Sequence, residues 1–299
     1  FIERLGLNLS ELNLPKINRL QVSSPSGKLL KHKLDLGGFG ISRYLLDSKL
    51  AEIAKSKGVV LLDDCRVNDV RFENEKFTID STKGSFTSEI CVGAWGKKSN
   101  LDNKLRSLSP SGGGRGRNYV AIKYHISIDF PNDLIELHNF KNGYCGISKV
   151  EDNRYSLCYL TDSENLKKYN GDIKKMEQEV LFKNPFLKTY FTKAEFLFEE
   201  PLAISQIKIG YKNAVENNIL MAGDTAGNIA PLSGNGMSMA MRSSFELNKL
   251  LASYFDGKIT RVQLEKKYND FWKKQFKGRV NLSESLQKLL KNTTMTNVA

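Results

Sequence analysis

The 299 residues hold only two tryptophans, three histidines, seven prolines and four cysteines. Cys65, Cys91, Cys145 and Cys158 stand far apart, with no C-x-x-C pair and no metal-ligand spacing. That excludes a zinc-ribbon or thioredoxin-type motif and leaves reduced thiols filling core positions, so no metal site is expected. No apolar run approaches the ~18 residues needed to span a bilayer, and no signal-peptide pattern opens the chain. A cytoplasmic protein is therefore expected. Internal repeats and low-complexity segments are absent too, which excludes solenoid and disordered classes. His32 falls in a hairpin and His125 and His138 in alternating strand patterns, so structural roles are expected for all three.

Positive charge, by contrast, is in excess: 45 Lys and Arg against 33 Asp and Glu give a formal net charge of +12. Such a balance suits an anionic partner. The lysines are scattered through helix-like segments such as 165–175 and 263–277, which reads as a solvated face and not as a nucleic-acid surface. Peripheral contact with an anionic membrane stays open. "SGGGRGRNY" at 111–119 is a single short Arg-Gly instance beside a strand pattern and reads as a connection.

Along the chain, residues 1–8 look like a helix end stopped near Gly6. "INRLQVSSPSGKLLKHKLDL" alternates around Pro25-Ser26-Gly27 as a β-hairpin. A helix follows with Ser42 as N-cap, Leu45, Leu46, Leu50, Ile53 and Ala54 as its apolar stripe, and Gly58 as its stop. Val59–Leu62 reads as a short buried strand, succeeded by alternating strands as far as Val92. Four antiparallel strands are expected between 118 and 161, then a charged helix over 164–183. The final third offers a strand, a turn and long helices.

The turn in that final third, "MAGDTAGNIAPLSGNGM" (221–237), holds the least ordinary chemistry. A strand delivers Gly223-Asp224 toward a helix whose N-terminal amides carry the positive end of a dipole. Gly234 and Gly236 can adopt positive φ and let a ligand approach the main chain. Asp224 is an acceptor suited to sugar or polyol hydroxyls, and Pro231 fixes a bend. The expected apolar positions of the helix are Met237, Met241, Phe245 and Leu250. On these grounds alone a ligand cradle and a tight capped connection fit equally well.

Three separated segments resemble flavoprotein monooxygenases and reductases of the p-hydroxybenzoate hydroxylase type, most of all their geranylgeranyl reductase-like branch. "GISRYLLDSKLAEIAKSKGV" (40–59) is similar to the family's ISRxxLDxxLxxxAxxxGV. "CVGAWGKKSNL" (91–101) is similar to vGAdGxxSxvR, and "NILMAGDTAGNIAPLSGNGMSMAMRSS" (218–244) to GDAAGxxxPxxGeGixxAmxSg. The resemblance implies an α/β fold: a flavoprotein-monooxygenase-like FAD-binding domain, with an incomplete Rossmann part, interleaved with an antiparallel β substrate domain. The expected divisions are 1–13, 39–110 and 206–260 for FAD, 14–38 and 111–205 for substrate, and 261–299 as a C-terminal helical segment. It also implies that Arg43 contacts FAD, that Asp224 holds the ribityl hydroxyls, and that Gly234, Asn235, Gly236 and Met237 face the pyrimidine edge. Gly223 and Pro231 complete the cofactor set by shaping the turn.

Departures from the family pattern are informative. The family opens with a GxGxxG strand-helix unit that grips the ADP half of FAD, and no such motif occurs in this chain. Phe1–Gly6 resembles what lies ~60 residues into such a protein, so a truncated flavoprotein is expected. Trp95 stands where hydroxylases carry an aspartate, which argues against direct use of NAD(P)H, the candidate reductant; packing is its expected role. Gly227 replaces the hydroxylases' histidine and leans toward the reductase branch. No halogenase-like Trp-rich stretch is present. The implied activity is FAD-dependent reduction of a C=C bond in a lipid-like substrate. The alternatives are hydroxylation of an aromatic or polyketide-like small molecule, and a non-catalytic fragment. No catalytic acid or base is assigned, because a flavin performs the electron chemistry itself.

Overall fold

The computed structural model describes residues 2–97, 99–107, 118–207, 209–231 and 234–289. Most of the expected Arg-Gly connection lies outside these residues. The chain forms β1 (Lys16–Ser23), β2 (Leu29–Phe39), α1 (Arg43–Ser56), β3 (Val67–Glu73), β4 (Lys76–Ser81), β5 (Gly84–Ser88), β6 (Val92–Gly93) and α2 (Asn100–Ser107). The middle comprises β7 (Tyr119–Ser127), β8 (Leu134–Phe140), β9 (Gly143–Lys149), β10 (Tyr155–Asp162), α3 (Ser163–Lys168), α4 (Ile173–Val180), α5 (Pro185–Lys193), β11 (Glu195–Phe196) and β12 (Leu202–Ile207). Last come β13 (Gly210–Tyr211), β14 (Val215–Glu216), β15 (Ile219–Met221), β16 (Gly227–Asn228), α6 (Gly236–Phe255) and α7 (Arg261–Leu289).

Two compact units share these elements, one built from Phe1–Leu62 and Tyr119–Ser205, the other from Asp63–Asn118 and Gln206–Lys288. In the first, one sheet runs in the order β11-β7-β10-β9-β8-β1-β2, with β12 also on β7. Along that path the pairing is antiparallel except between β1 and β8, which run parallel with Ser23 opposite His138. Alternation sends Ile122, Ile126, Cys145, Ile147, Leu157 and Tyr159 to one face, where they meet Met176, Val180, Leu181 and Leu187. The four central strands and the hairpin fall where their alternation places them. Asn142, Asp152 and Asn153 supply the left-handed conformations their turns need.

Two local expectations fail in this unit. The charged helix breaks in two at Asn170 and Gly171, both at positive φ, and Asp172 recaps α4 by accepting from the Lys175 amide. Val59–Leu62 forms no strand and is exposed, Val60 to 82%. A continuous apolar run has no period that names a partner. Residues 40–62 also cluster with the sheet instead of with 63–110. The Gly40 amide donates to Pro15 O at 3.0 Å and the Ser42 amide to Glu151 Oε2 at 2.7 Å.

The second unit is assembled from short strands. A meander β3-β4-β5 stands beside a three-stranded sheet β14-β15-β6, in which β15 and β6 are parallel, and the β13-β16 pair. Their apolar side chains pack against Met239 and Leu247 of α6 and Leu264, Tyr268, Trp272, Phe276 and Val280 of α7. The four-residue spacing on α7 makes one buried ridge, and Lys266, Lys267, Lys273, Lys274 and Lys277 stay exposed. Residues 261–288 thus belong to this core, where a separate C-terminal segment was expected. On α6 the buried positions are Met239, Ser243 and Leu247, one ridge away from the expected stripe; Met237 is 42% exposed. Among the described residues no helix is long and apolar enough to cross a membrane.

Candidate functional site

β15 is buried at all three residues and lies parallel to β6, with Leu220 opposite Val92 and Met221 opposite Gly93. The register extends by one bond, the Ala222 amide donating to Gly93 O at 2.9 Å. Both strands then end in turns, and these turns are tied together: the Gly96 amide donates to Thr225 Oγ1 at 2.9 Å, across 129 positions of sequence. The second and third family-like motifs are therefore one structural object.

Asp224 stands in the 3-10 turn Gly223–Thr225, its side chain 27% exposed, with Oδ2 3.9 Å from Lys97 Nζ. Pro231 O accepts from the Gly234 amide at 2.9 Å, closing the turn ahead of α6. Pro231, Gly234 and Asn235 are exposed, and the Asn235 side chain makes no capping bond to the first turn of α6. The helix thus opens at Gly236 without a side-chain acceptor from its own N-cap. Positive dipole end, acceptor carboxylate and ammonium lie within one unit.

The glycines of this motif separate into two groups. Gly223 has φ +61° and an added Cβ would come 3.3 Å from Ala240 Cβ; at Gly227 it would come 3.1 Å from the Trp272 ring. Packing accounts for both, and Trp272 explains why a histidine has no room at 227. Around Gly234 an added Cβ meets nothing within 4 Å, and at Gly236 only Asp224 Oδ1 and Ile229 at 3.9 Å. Among the described residues no side chain comes closer than ordinary van der Waals contact over these two, which leaves the main chain open to a ligand. An acceptor carboxylate beside uncapped helix amides is a set that a polyol with an electron-rich ring edge would fit.

Arg43 lies in the other unit. It begins α1, where Ser42 caps the Leu45 amide, and donates from Nε and Nη2 to Asp47 at 3.1 and 2.9 Å while 65% exposed. Gly223, Asp224, Pro231 and Gly234–Met237 are brought together in the second unit; Arg43 belongs to the first. Trp95 packs as expected. Its ring lies over Gly93, where an added Cβ would come 2.5 Å from it, and its Nε1 is buried with no hydrogen-bond partner among the described residues.

Sequence reasoning missed Lys97 and Thr225, although both lie inside quoted motifs. A cation beside the second motif's glycine and a hydroxyl after Asp224 were the available signals. It also missed a buried polar network in the first unit. His138, fully buried, lies with Nδ1 2.8 Å from Ser23 Oγ and Nε2 2.8 Å from Glu136 Oε2. Tyr190 donates to the same Glu136 oxygen, and Asn184 Nδ2 donates to Ser23 Oγ at 2.8 Å. A second carboxylate, Glu177, accepts from Tyr124 and Tyr159, both at 2.8 Å, and burial pushes its pKa up. Ser23 is inaccessible, so the first network joins strands and α5 and does not act as a nucleophile relay.

No protein-family model matches the chain. A curated relative, the conditioned medium factor receptor 1 of Dictyostelium discoideum, is 26% identical over 268 residues, covering 84% of this chain and 50% of the receptor. The chain thus spans half the length of that relative. Among solved structures, a geranylgeranyl bacteriochlorophyll reductase-like protein from Thermoplasma acidophilum superposes with a TM-score of 0.77 at 15% identity, over 94% of this chain and 74% of that one. The myxobacterial chondrochloren halogenase CndH, a FAD-dependent enzyme, gives 0.76 at 16% identity, over 95% and 69%. PqsL of Pseudomonas aeruginosa, described as a probable FAD-dependent monooxygenase, gives 0.70 at 15%, over 99% and 85%. The chain has the fold that these flavoenzymes and the reductase-like protein share.

Proposed function

We propose that the chain belongs to an FAD-dependent oxidoreductase and that its second unit holds the ribityl chain and ring of the flavin. The observation carrying this reading is the Gly96–Thr225 tie, which sets Asp224 and Lys97 beside one another on a fold shared with FAD-dependent enzymes. Asp224 accepts from ribityl hydroxyls, and the Gly236 and Met237 amides meet the pyrimidine edge. Gly223, Pro231, Gly234 and Asn235 shape that approach. Bound flavin supplies hydride transfer or, with O2, oxygen transfer.

Reduction of a C=C bond in a lipid-like substrate is the first reading, with the antiparallel sheet region, 14–38 and 111–205, serving the substrate. Trp95 supports it: packed on Gly93, it leaves no carboxylate at that position for a nicotinamide donor. Gly227 carries no weight, since Trp272 accounts for it. Hydroxylation of an aromatic or polyketide-like molecule is the second reading, supported by the monooxygenase likeness. The receptor relative favours a third, a binding module without redox activity.

Titration with FAD, FMN and riboflavin, followed by flavin fluorescence and the ~450 nm band, tests the proposal. Binding is expected, and Asp224→Ala should weaken it by about 1–3 kcal/mol through loss of a charged acceptor. Protein that takes up none of the three, or an Asp224→Ala variant with unchanged affinity, would overturn the assignment. Anaerobic reoxidation of the reduced flavin by alkenes, set against O2 uptake with aromatic candidates, then separates the two redox readings.

A further inference from the structure

We infer that the exposed face of α7, with the turn that leads into it, docks on an anionic lipid bilayer. The inference concerns the second unit alone and does not depend on the cofactor reading. With α7 turning about 100° per residue, Lys266, Lys273 and Lys277 fall within about 20° of one line, and Lys267 and Lys274 stand beside it. All five are exposed, away from the buried ridge of Tyr268, Trp272 and Phe276. The row spans about 16 Å. Asp270, also exposed, is the one acidic residue between Lys266 and Lys277. Among the described residues none of the five lysines forms an ion pair, not even with Asp270 one turn away, and Lys277 alone has a ring contact, 5.8 Å from the Tyr211 centroid. Other lysines of the same unit are matched: Lys104 with Asp69 at 2.6 Å, Lys212 with Asp102 at 2.8 Å and Lys258 with Asp256 at 2.8 Å. The unmatched positive charge of the unit's longest helix is therefore gathered on one face.

What accompanies the charge selects the occupant. One turn before Lys266, Val262 is 74% exposed, and Phe255, at the end of α6, is 63% exposed. Between these two runs the turn 256–260, with Lys258 exposed. Apolar side chains gain nothing from a nucleic-acid phosphate, whereas the acyl boundary of a bilayer takes them while its headgroups take the lysines. The row holds no arginine from Val262 to Lys277, so it lacks the planar, bidentate donors that suit nucleic-acid recognition. Compact point charges without directional demands suit a fluid layer of anionic headgroups.

The test is co-sedimentation with vesicles of phosphatidylcholine alone and of phosphatidylcholine mixed with phosphatidylserine. Wild-type protein should prefer the mixed vesicles, and added salt should release most of it. Lys266→Gln/Lys273→Gln/Lys277→Gln should weaken binding on the order of a hundredfold, about fivefold per ammonium. Removing the same charge from the first unit, in Lys31→Gln/Lys33→Gln/Lys57→Gln, should leave binding within about threefold of wild type. Phe255→Ser should weaken it about tenfold, a loss that persists in high salt because apolar insertion is not screened. Circular dichroism of each variant checks that the fold is kept, as expected for substitutions at exposed positions. Wild-type protein that ignores both vesicles, or binds them equally, overturns the inference. Equal losses in the two triple variants reduce the effect to the net charge of +12, and the inference falls. Single-stranded RNA bound through the same lysines, with vesicles left unbound, makes the row a nucleic-acid surface and overturns it too. None of these results touches the cofactor reading, which flavin titration decides.

Discussion

In the first unit the central strands run for seven to nine residues in unbroken register. In the second, the strands delivering the candidate site are two and three residues long, at β6 and β15. The two interiors differ accordingly. Behind the long strands lie ionisable groups, with Glu136, His138 and Glu177 all buried and hydrogen-bonded. Over the short strands lies an aromatic ridge from α7, which adds polar anchors to the backbone: Tyr268 donates to Met221 O at 2.8 Å and Ser283 Oγ accepts from the Ala230 amide at 3.2 Å. A long ladder satisfies its own backbone and fixes side-chain positions closely enough to hold a buried polar network. A two-residue ladder cannot, so apolar burial from another element must hold it in place.

Trp272→Ala is the severest way to break that contrast. The ring is fully buried over Gly227 and beside Phe276, and truncation should cost about 3–5 kcal/mol. Denaturant unfolding, with Trp95 as the remaining tryptophan, should show the midpoint collapse; a shift below about 1 kcal/mol would remove α7 as the clamp on the short strands. Gly40→Ala attacks the first unit instead. An added Cβ would lie 1.8 Å from the Lys149 carbonyl oxygen, so backbone must move. A loss of up to about 3 kcal/mol is expected, read as faster hydrogen exchange in β9 and the start of α1, and unaltered exchange there would contradict the geometry.

The smallest effect sharpens the comparison through pH. Burial raises the Glu177 pKa above the ordinary 4.5, its two tyrosine donors opposing the shift. A carboxyl with a raised folded pKa contributes stability that is fully present below 4.5 and is lost as pH rises through the folded value. Relative to wild type, Glu177→Gln should therefore gain thermal stability as pH rises through that window and show no gain beneath it. A pH-independent difference between the two proteins would show that Glu177 does not titrate in the fold. Because burial and the neighbouring Glu177 push the Tyr124 and Tyr159 hydroxyls up as well, neither phenol titrates in this window.

The same contrast explains what was legible in the sequence. The strands around Ile122, Ile147 and Leu157 are long enough for period-two alternation to name their buried face, and the turns between them carry Asn and Asp at positive φ. α1 was legible from Ser42 and the stripe through Leu46. The strands β6 and β15 are too short to have a period of their own; the alternating run ending at Val92 and the apolar residues before Gly223 marked them as strands, and their parallel pairing was not legible. Alternation also cannot report a bond between residues 129 apart, so the tie from Gly96 to Thr225 and the approach of Lys97 to Asp224 were invisible. On α6 the apolar count favoured Met237 and Met241, yet small Ser243, its hydroxyl donating to Ala240 O at 2.9 Å, completes the buried ridge.

The parallel pairing of β1 with β8 bears on how the polypeptide is made. The hairpin β1–β2 leaves the ribosome well before the strand that seats it, Phe39 preceding Leu134 by 95 residues, with Leu134 to His138 opposite Arg19 to Ser23. Likewise β6 emerges well before β15 and α7, the elements that cover it. At ~5–20 residues per second, both nascent halves wait several seconds with unpaired edges. Synthesis of this chain should therefore engage chaperones early and fold late, with compaction of the second unit delayed until α7 has emerged.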